Sequence, residues 1–202
     1  MRVGLFGGSF DPVHRGHVEA VAAARRALEL ERVIYLPTAS PPHKPDRRLA
    51  PATARLAMVE LALLDEPDLV VSDFELTPGD PAYTSASIEH FRRLHGEPPV
   101  LLVGQDSLAE LPGWRRWRDI VEQAGLGVLT RPGFDREATL AAAPSELRAA
   151  RRAGRVRFVE NEPVDVSSTA LRALLAAGAE PSPGQVPDLV LKYLRKYPNL
   201  YA

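Results

Sequence analysis

Short runs of apolar and β-branched residues alternate along the chain with longer segments in which apolar residues recur at helical spacing. Such short runs are typical of strands that are buried on both faces of a parallel sheet. The pattern predicts six strands, at residues 2–6, 32–36, 69–74, 100–103, 126–130 and 156–160. It predicts helices at residues 16–30, 52–64, 85–95, 115–124, 144–153, 168–177 and 187–196.

A strand at the start followed by repeated helix–strand units indicates an α/β fold. We predict a Rossmann-like, doubly wound parallel sheet with helices on both faces and a helical C-terminal segment over about residues 168–202. No linker divides residues 1–202, so we expect a single domain. Because ligands of such sheets bind at the carboxyl ends of the strands, candidate site residues should follow the strands.

The composition of the chain excludes several kinds of function. Lys and Arg number 25 against 26 Asp and Glu, so the chain has no overall basic field for a nucleic acid or an anionic membrane. The absence of cysteine excludes disulfides, thiolate metal sites and cysteine nucleophiles. No apolar run reaches the about 18 residues of a spanning helix. We therefore expect a soluble cytoplasmic protein with small-molecule substrates and local anion sites.

The first predicted strand runs into the sequence GGSFDPVHRGH at residues 7–17, at the start of a helix. Glycines let backbone N–H groups approach a ligand, and a helix N-terminus favours phosphate. Neither a dinucleotide G-x-G-x-x-G nor a P-loop is present. For His14 and His17, three interpretations stay open: one capping and one surface histidine, a zinc site completed by Asp11 or His43, or phosphate contacts.

A second candidate anion site lies at residues 166–172, with the sequence VSSTALR. Its hydroxyl residues, Ser167, Ser168 and Thr169, can cap a helix. Arg172 opposes the helix dipole, so a bound anion would explain it, although a solvated surface arginine is the alternative. Lys44 follows the second strand at the same sheet edge. Together these features indicate a polyphosphate ligand.

These segments resemble a known family. Residues 7–17 resemble the nucleotidyltransferase signature built on H-x-G-H, and residues 167–172 resemble its partner motif. Further matches are PPHK at residues 41–44, YT at 83–84, GQDSLAELPGW at 104–114 and RPG at 131–133. Together they resemble the bacterial nicotinate-nucleotide adenylyltransferase family, whose members join nicotinate mononucleotide to ATP in NAD biosynthesis.

The resemblance implies roles at the matching positions. The implied catalytic residues are His14, His17, Lys44 and Arg172. The implied ATP-binding residues are Gly7, Gly8, Ser9, Phe10, His14, His17, Lys44, Gly104, Asp106, Ser167, Ser168 and Arg172. The implied nicotinate mononucleotide-binding residues are Ser9, Thr38, His43, Lys44, Thr84, Leu111, Trp114 and Arg131. Two positions depart from the family: Ser9 stands where Thr is frequent, and Arg115 follows Trp114 where an aromatic residue often appears.

The implied reaction agrees with these residue types. The 5′-phosphate of the mononucleotide is mostly dianionic near neutral pH, because its second pKa is about 6, so the nucleophile needs no general base. Imidazolium, guanidinium, ammonium and backbone N–H groups can stabilise the transition-state charge. Mg²⁺ is expected on the ATP phosphates, with no metal ligands from the protein.

Three other functions compete with this one. They are adenylyl transfer to phosphopantetheine, nucleotide binding without turnover, and metal-dependent hydrolysis at a histidine-rich site. Trp117 is expected to pack in the core rather than bind ligand. Tyr193, Tyr197 and Tyr201 either cap the core or mediate self-association, so a homo-oligomer stays open.

Overall fold

The computed structural model describes residues 1–39, 49–76, 83–130, 133–162 and 164–201. Its strands are β1 (Val3–Gly8), β2 (Arg32–Pro37), β3 (Leu69–Val71), β4 (Val100–Gly104), β5 (Gly125–Thr130) and β6 (Val156–Glu160). They form one sheet in the order β3-β2-β1-β4-β5-β6, and every neighbouring pair is parallel. This confirms the predicted Rossmann-like, doubly wound sheet.

Helices connect the strands and follow the last of them. They are α1 (Arg15–Ala27), α2 (Ala52–Ala62), α3 (Thr84–His95), α4 (Gln105–Glu110), α5 (Trp117–Gln123), α6 (Arg136–Ala142), α7 (Ser145–Arg152), α8 (Ser168–Ala176) and α9 (Asp188–Lys196). Three 3-10 turns lie at Phe74–Leu76, Leu111–Gly113 and Pro198–Tyr201. The pattern missed α4 and α6, which have only six and seven residues and therefore give a weak periodic signal.

Three predicted boundaries were wrong for local reasons. The third strand ends at Val71 rather than at residue 74, because the Ser72 hydroxyl accepts the backbone N–H of Phe74 and turns the chain. The first helix ends before Glu29, whose φ of +54° is left-handed. The fifth helix begins at Trp117, because Arg116 has a φ of +56°.

The core lies on both faces of the sheet. On one face the helices α1, α2, α8 and α9 pack against it through residues such as Val21, Met58 and Val190. On the other face α3, α5 and α7 pack through residues such as Ile88 and Ile120. Covering both faces explains why the strands read as continuous apolar runs. Among the described residues, no helix is long and apolar enough to cross a membrane.

The strand order places a binding crevice next to β1. This strand pairs with β2 on one side and with β4 on the other. Successive strands are therefore added in one direction up to β3 and in the opposite direction from β4 onward. In a doubly wound sheet, this switch point is where the loops diverge and leave room for a ligand. Both strands end in glycine there, at Gly8 and Gly104.

Candidate functional site

A cavity of about 950 Å³ opens at the switch point, with walls from the β1 and β4 ends and from parts of α1, α3, α4 and α8. The structure brings many of the predicted site residues into its lining. These are Gly7, Gly8, Ser9, His14, His17, Thr38, Thr84, Gly104, Asp106, Trp114, Ser167 and Ser168. The cavity therefore joins the glycine turn after β1 to the segment around Trp114.

Other predicted site residues lie elsewhere. Phe10 and Leu111 are buried in the core at 2% and 0% exposure and do not line the cavity. Arg172 is held against the loop that follows β1, as detailed below. His43, Lys44 and Arg131 lie outside the described residues, and their predicted roles stay predictions.

His14 and His17 form a stacked pair at the N-terminus of α1. The two rings lie 3.7 Å apart at an interplanar angle of 26°. The backbone N–H of His14 donates to Nδ1 of His17 over 3.3 Å. Because Nδ1 is the acceptor, the proton of a neutral His17 ring is assigned to Nε2. His14 occupies the N-cap position, but His17 is buried, so the interpretation as one capping and one surface histidine is correct only for the position of His14.

Burial lowers the pKa of both imidazoles and so disfavours their protonated forms. It lowers the pKa of His14 from 6.5 to about 4. Burial also lowers the pKa of His17 well below 6.5, and the neighbouring His14 lowers it further. The expected imidazolium groups are therefore neutral near pH 7, and they can act as hydrogen-bond donors without a fixed charge.

The glycine between these histidines leaves room for the stacked pair. A Cβ atom at Gly16 would come within 3.1 Å of Nδ1 of His14 and 3.4 Å of Val166. A side chain there would push the His14 ring away from His17 or separate α1 from the segment before α8. The spacing of the H-x-G-H sequence therefore has a packing reason.

The zinc interpretation finds no support in the described part of the chain. There, no group of three His, Asp or Glu side chains could hold a metal ion. Of the third ligands considered, Asp11 is used in other contacts, and His43 lies outside the described residues.

Asp11 and Arg172 are joined across the fold. Asp11 is fully buried, and its Oδ1 accepts the backbone N–H of Ala50 over 3.2 Å and the hydroxyl of Tyr201 over 3.0 Å. Arg172 donates to the backbone oxygen of Asp11 over 2.6 Å and to the Thr169 hydroxyl over 3.1 Å. With a side chain only 18% exposed, Arg172 is not a solvated surface arginine.

The N-terminus of α8 is attached to the same loop. Ser167 is its N-cap and accepts the backbone N–H of Ala170 over 3.2 Å. Ser168 donates its hydroxyl to the backbone oxygen of Pro12 over 2.9 Å. A serine hydroxyl has a single proton, so in this state Ser168 offers a ligand its backbone N–H and hydroxyl lone pairs.

Sequence reasoning missed Arg55, which holds the loops under the cavity. This side chain is 0% exposed, and its guanidinium donates to the backbone oxygens of Ala50, Ser9 and Ala39 over 3.0, 2.7 and 3.2 Å. A signal was present in the sequence. Arg55 lies three residues before Met58 on the buried face of α2, where an arginine needs buried acceptors.

The far end of the cavity contains aromatic and acidic groups. Trp114 and Thr84 line it, and the Arg115 guanidinium lies 4.3 Å above the ring of Tyr83. Sequence reasoning also missed Glu75, a 6% exposed residue whose Oε1 accepts the Ser87 hydroxyl over 2.6 Å. Burial raises the pKa of Glu75 from 4.5 to about 7, although this hydrogen bond opposes the shift.

Comparison with known sequences places the chain among nucleotidyltransferases. The cytidylyltransferase-like family model matches residues 5–174. A probable nicotinate-nucleotide adenylyltransferase of Laribacter hongkongensis is 44% identical over 188 residues, covering 88% of this chain and 85% of that protein. A protein of the same description from Symbiobacterium thermophilum is 39% identical over 199 residues, covering 97% of this chain and 93% of that one.

Solved structures show the same fold at lower sequence similarity. The nicotinic acid mononucleotide adenylyltransferase of Plasmodium falciparum, complexed with NaAD, aligns with a TM-score of 0.73 at 16% identity. The alignment covers 99% of this chain and 97% of that one. The chain therefore belongs to the cytidylyltransferase-like family, and within it to the nicotinate-nucleotide adenylyltransferases.

Proposed function

We propose that this chain transfers the adenylyl group of ATP to nicotinate mononucleotide, which yields deamido-NAD and pyrophosphate in NAD biosynthesis. The observation that carries the proposal is that one continuous cavity of about 950 Å³ joins the His14 and His17 helix terminus to the Trp114 and Thr84 segment. One end suits phosphates and the other suits a flat ring. The names of the curated relatives support the same reaction.

The phosphates of ATP would lie between the glycine turn after β1 and the N-terminus of α8. Two helix N-termini, at His14 and Ser167, face the cavity there and favour negative charge. The Nε2 proton of His17 is available as a donor, because its Nδ1 is occupied by the His14 backbone. We assign Arg172 and Lys44 to the outer phosphates, as the family resemblance implies.

The chemical step is a displacement at the α-phosphorus of ATP. A 5′-phosphate oxygen of the mononucleotide forms the new bond to the α-phosphorus, and the bond to the oxygen bridging to the β-phosphorus breaks. Pyrophosphate leaves with that electron pair. No proton has to be removed from a phosphate that is already dianionic, so the protein needs no general base. Its residues position the two substrates and stabilise the transferring charge.

We propose that a divalent metal ion binds here as a partner of the substrate phosphates. The described residues contain no cluster of three carboxylate or histidine side chains for an all-protein cage. Mg²⁺ commonly keeps several waters and binds through phosphates with few protein ligands. We propose that Mg²⁺ is held by the ATP phosphates, where it supplies charge neutralisation of the departing pyrophosphate.

The pyridine ring would stack on Trp114, which provides affinity without distinguishing acid from amide. The choice between them requires donors aimed at the carboxylate. We propose that these donors are backbone N–H groups near Trp114 and Arg115 and the Thr84 hydroxyl. An amide would turn its NH₂ group toward one of those donors and leave it unpaired, which costs on the order of 10²-fold in kcat/KM.

Pyrophosphate release from nicotinate mononucleotide, ATP and Mg²⁺ tests the proposal directly. We expect turnover with nicotinate mononucleotide and on the order of 10²-fold lower kcat/KM with the nicotinamide form. Phosphopantetheine is the control acceptor and should give no product. Turnover only with phosphopantetheine, or ATP binding without pyrophosphate release, would contradict the proposed function and favour one of the competing ones.

A further inference from the structure

The last 3-10 turn of the structure reaches the loop of the catalytic site. The turn at Pro198–Tyr201 follows α9, and both Leu200 and Tyr201 pack against the core on that face of the sheet. The Tyr201 hydroxyl donates to Oδ1 of Asp11 over 3.0 Å, although 190 positions separate the two residues. Asp11 lies in the turn between β1 and α1, six residues before His17.

The Asp11 carboxylate links Tyr201 to Arg172. Its Oδ1 is held by two donors, Tyr201 and the backbone N–H of Ala50. Its Oδ2 accepts no hydrogen bond from any described residue and lies 3.9 Å from Nη1 of Arg172. Because the carboxylate is fully buried, its charge is little screened, so the two groups already form an ion pair at this distance without a direct hydrogen bond.

We propose that Tyr201 is a positioning residue for Arg172 and acts through the Asp11 carboxylate. By holding Oδ1, the hydroxyl keeps the ion pair of Oδ2 with the guanidinium at 3.9 Å instead of hydrogen-bond distance, so that Asp11 competes less with phosphate for Arg172. This inference rests on the proposed function, in which Arg172 binds the outer phosphates of ATP. Burial and the adjacent Asp11 raise the pKa of Tyr201 well above 10, so the hydroxyl keeps its proton and remains a donor.

The first test is Tyr201→Phe, which keeps the aromatic ring and its packing. Without the hydroxyl, Asp11 should turn toward Arg172 and compete with ATP. We expect the KM for ATP to rise about threefold to tenfold, the effect of one lost hydrogen bond, while the KM for nicotinate mononucleotide stays within about twofold. Tyr197→Phe is the matched control. This tyrosine is 46% exposed in the same region, and its variant should behave like the wild type.

The second test separates positioning from general loosening of the fold. In an Arg172→Ala background, Tyr201→Phe should have no further effect on the KM for ATP, because the group that it positions is gone. Calorimetry of ATP binding gives the same comparison without turnover.

The outcomes separate the two proposals. A KM for ATP unchanged by Tyr201→Phe, an equal loss for both substrates, or an undiminished effect in the Arg172→Ala background would overturn this inference and leave the proposed function intact. Absence of turnover by the wild type would overturn the proposed function, and this inference with it.

Discussion

At the scale of single residues, burial decides the charge of the two stacked histidines. His14 and His17 are neutral near pH 7 because their stacked rings are desolvated. A polyphosphate beside them would favour the protonated forms and raise both pKa values.

Replacing His17 by alanine should lower kcat by about 10²-fold or more while the protein stays folded, because one preorganised donor to the transition state is lost. Steady-state pyrophosphate release with circular dichroism checks this. His95→Ala is the control, since this histidine ends α3 and stacks on Phe91 outside the cavity. Wild-type kcat in a folded His17→Ala protein would refute the assignment.

Glu75→Gln should make the protein more stable at pH 8 than the wild type. The pKa of Glu75 is about 7 in the folded protein and about 4.5 when exposed, so between these values the folded state binds more protons than the unfolded state. The wild type therefore loses up to about 3 kcal/mol as the pH rises through this window. The variant keeps an oxygen that can accept the Ser87 hydroxyl.

Urea unfolding at pH 5 and at pH 8 measures this difference. The variant should gain relative to the wild type only at the higher pH. Glu89→Gln, on the exposed side of α3, is the control and should shift neither value. An equal difference at both pH values would show that Glu75 titrates normally.

At the scale of elements, α2 illustrates how one helix holds several loops. Arg55 connects this helix to the loop before it, to the turn after β1 and to the segment after β2. Three backbone oxygens would lose their donor if the guanidinium were absent. A planar, forked group can satisfy acceptors in different directions, which a lysine ammonium cannot do in the same geometry.

Arg55→Lys should lower the free energy of unfolding by about 3 kcal/mol, because it leaves buried acceptors unpaired and a buried charge poorly compensated. Urea denaturation monitored by circular dichroism is the measurement. The matched control is Arg26→Lys on the exposed side of α1, for which we expect a change within about 0.5 kcal/mol. Similar losses for the two variants would contradict the role of Arg55.

At the scale of the whole molecule, the cavity depends on segments from both ends of the sequence. The turn after β1 meets the N-terminus of α8 through Ser168 and Pro12, which are 156 positions apart. Such a site exists only when the chain is folded. A ligand that binds there stabilises the folded state alone.

Deamido-NAD at about 100 times its Kd should therefore add about 2.7 kcal/mol to the free energy of unfolding. For a chain of this size, that corresponds to a Tm increase of about 5–10 °C. Thermal unfolding with and without the dinucleotide measures it. NAD at the same concentration is the control and should raise the Tm less, because its amide leaves a carboxylate-directed donor unpaired. Equal shifts would contradict the acid preference.

Much of the fold and of the candidate site was predictable from local features. The apolar runs correctly predicted the six parallel strands, because strands buried on both faces must be apolar throughout. The prediction that the glycine turn before His14 and the hydroxyl residues before Arg172 lie at the same edge of the sheet was correct, since both segments line one cavity. Trp117 packs in the core as expected, at 8% exposure. Short helices such as α4 and left-handed residues such as Arg116 were not predictable, since neither leaves a periodic signal.

The sequence by itself determined the six strands and the longer helices and indicated which residues could contact phosphate, because these depend on residue type and short-range spacing. Only the tertiary structure decided the protonation of Glu75 and His17, since a pKa depends on burial by distant segments. The same holds for the contact of Tyr201 and Arg172 with Asp11, in which residues far apart in the sequence meet only when helices α8 and α9 pack onto the sheet.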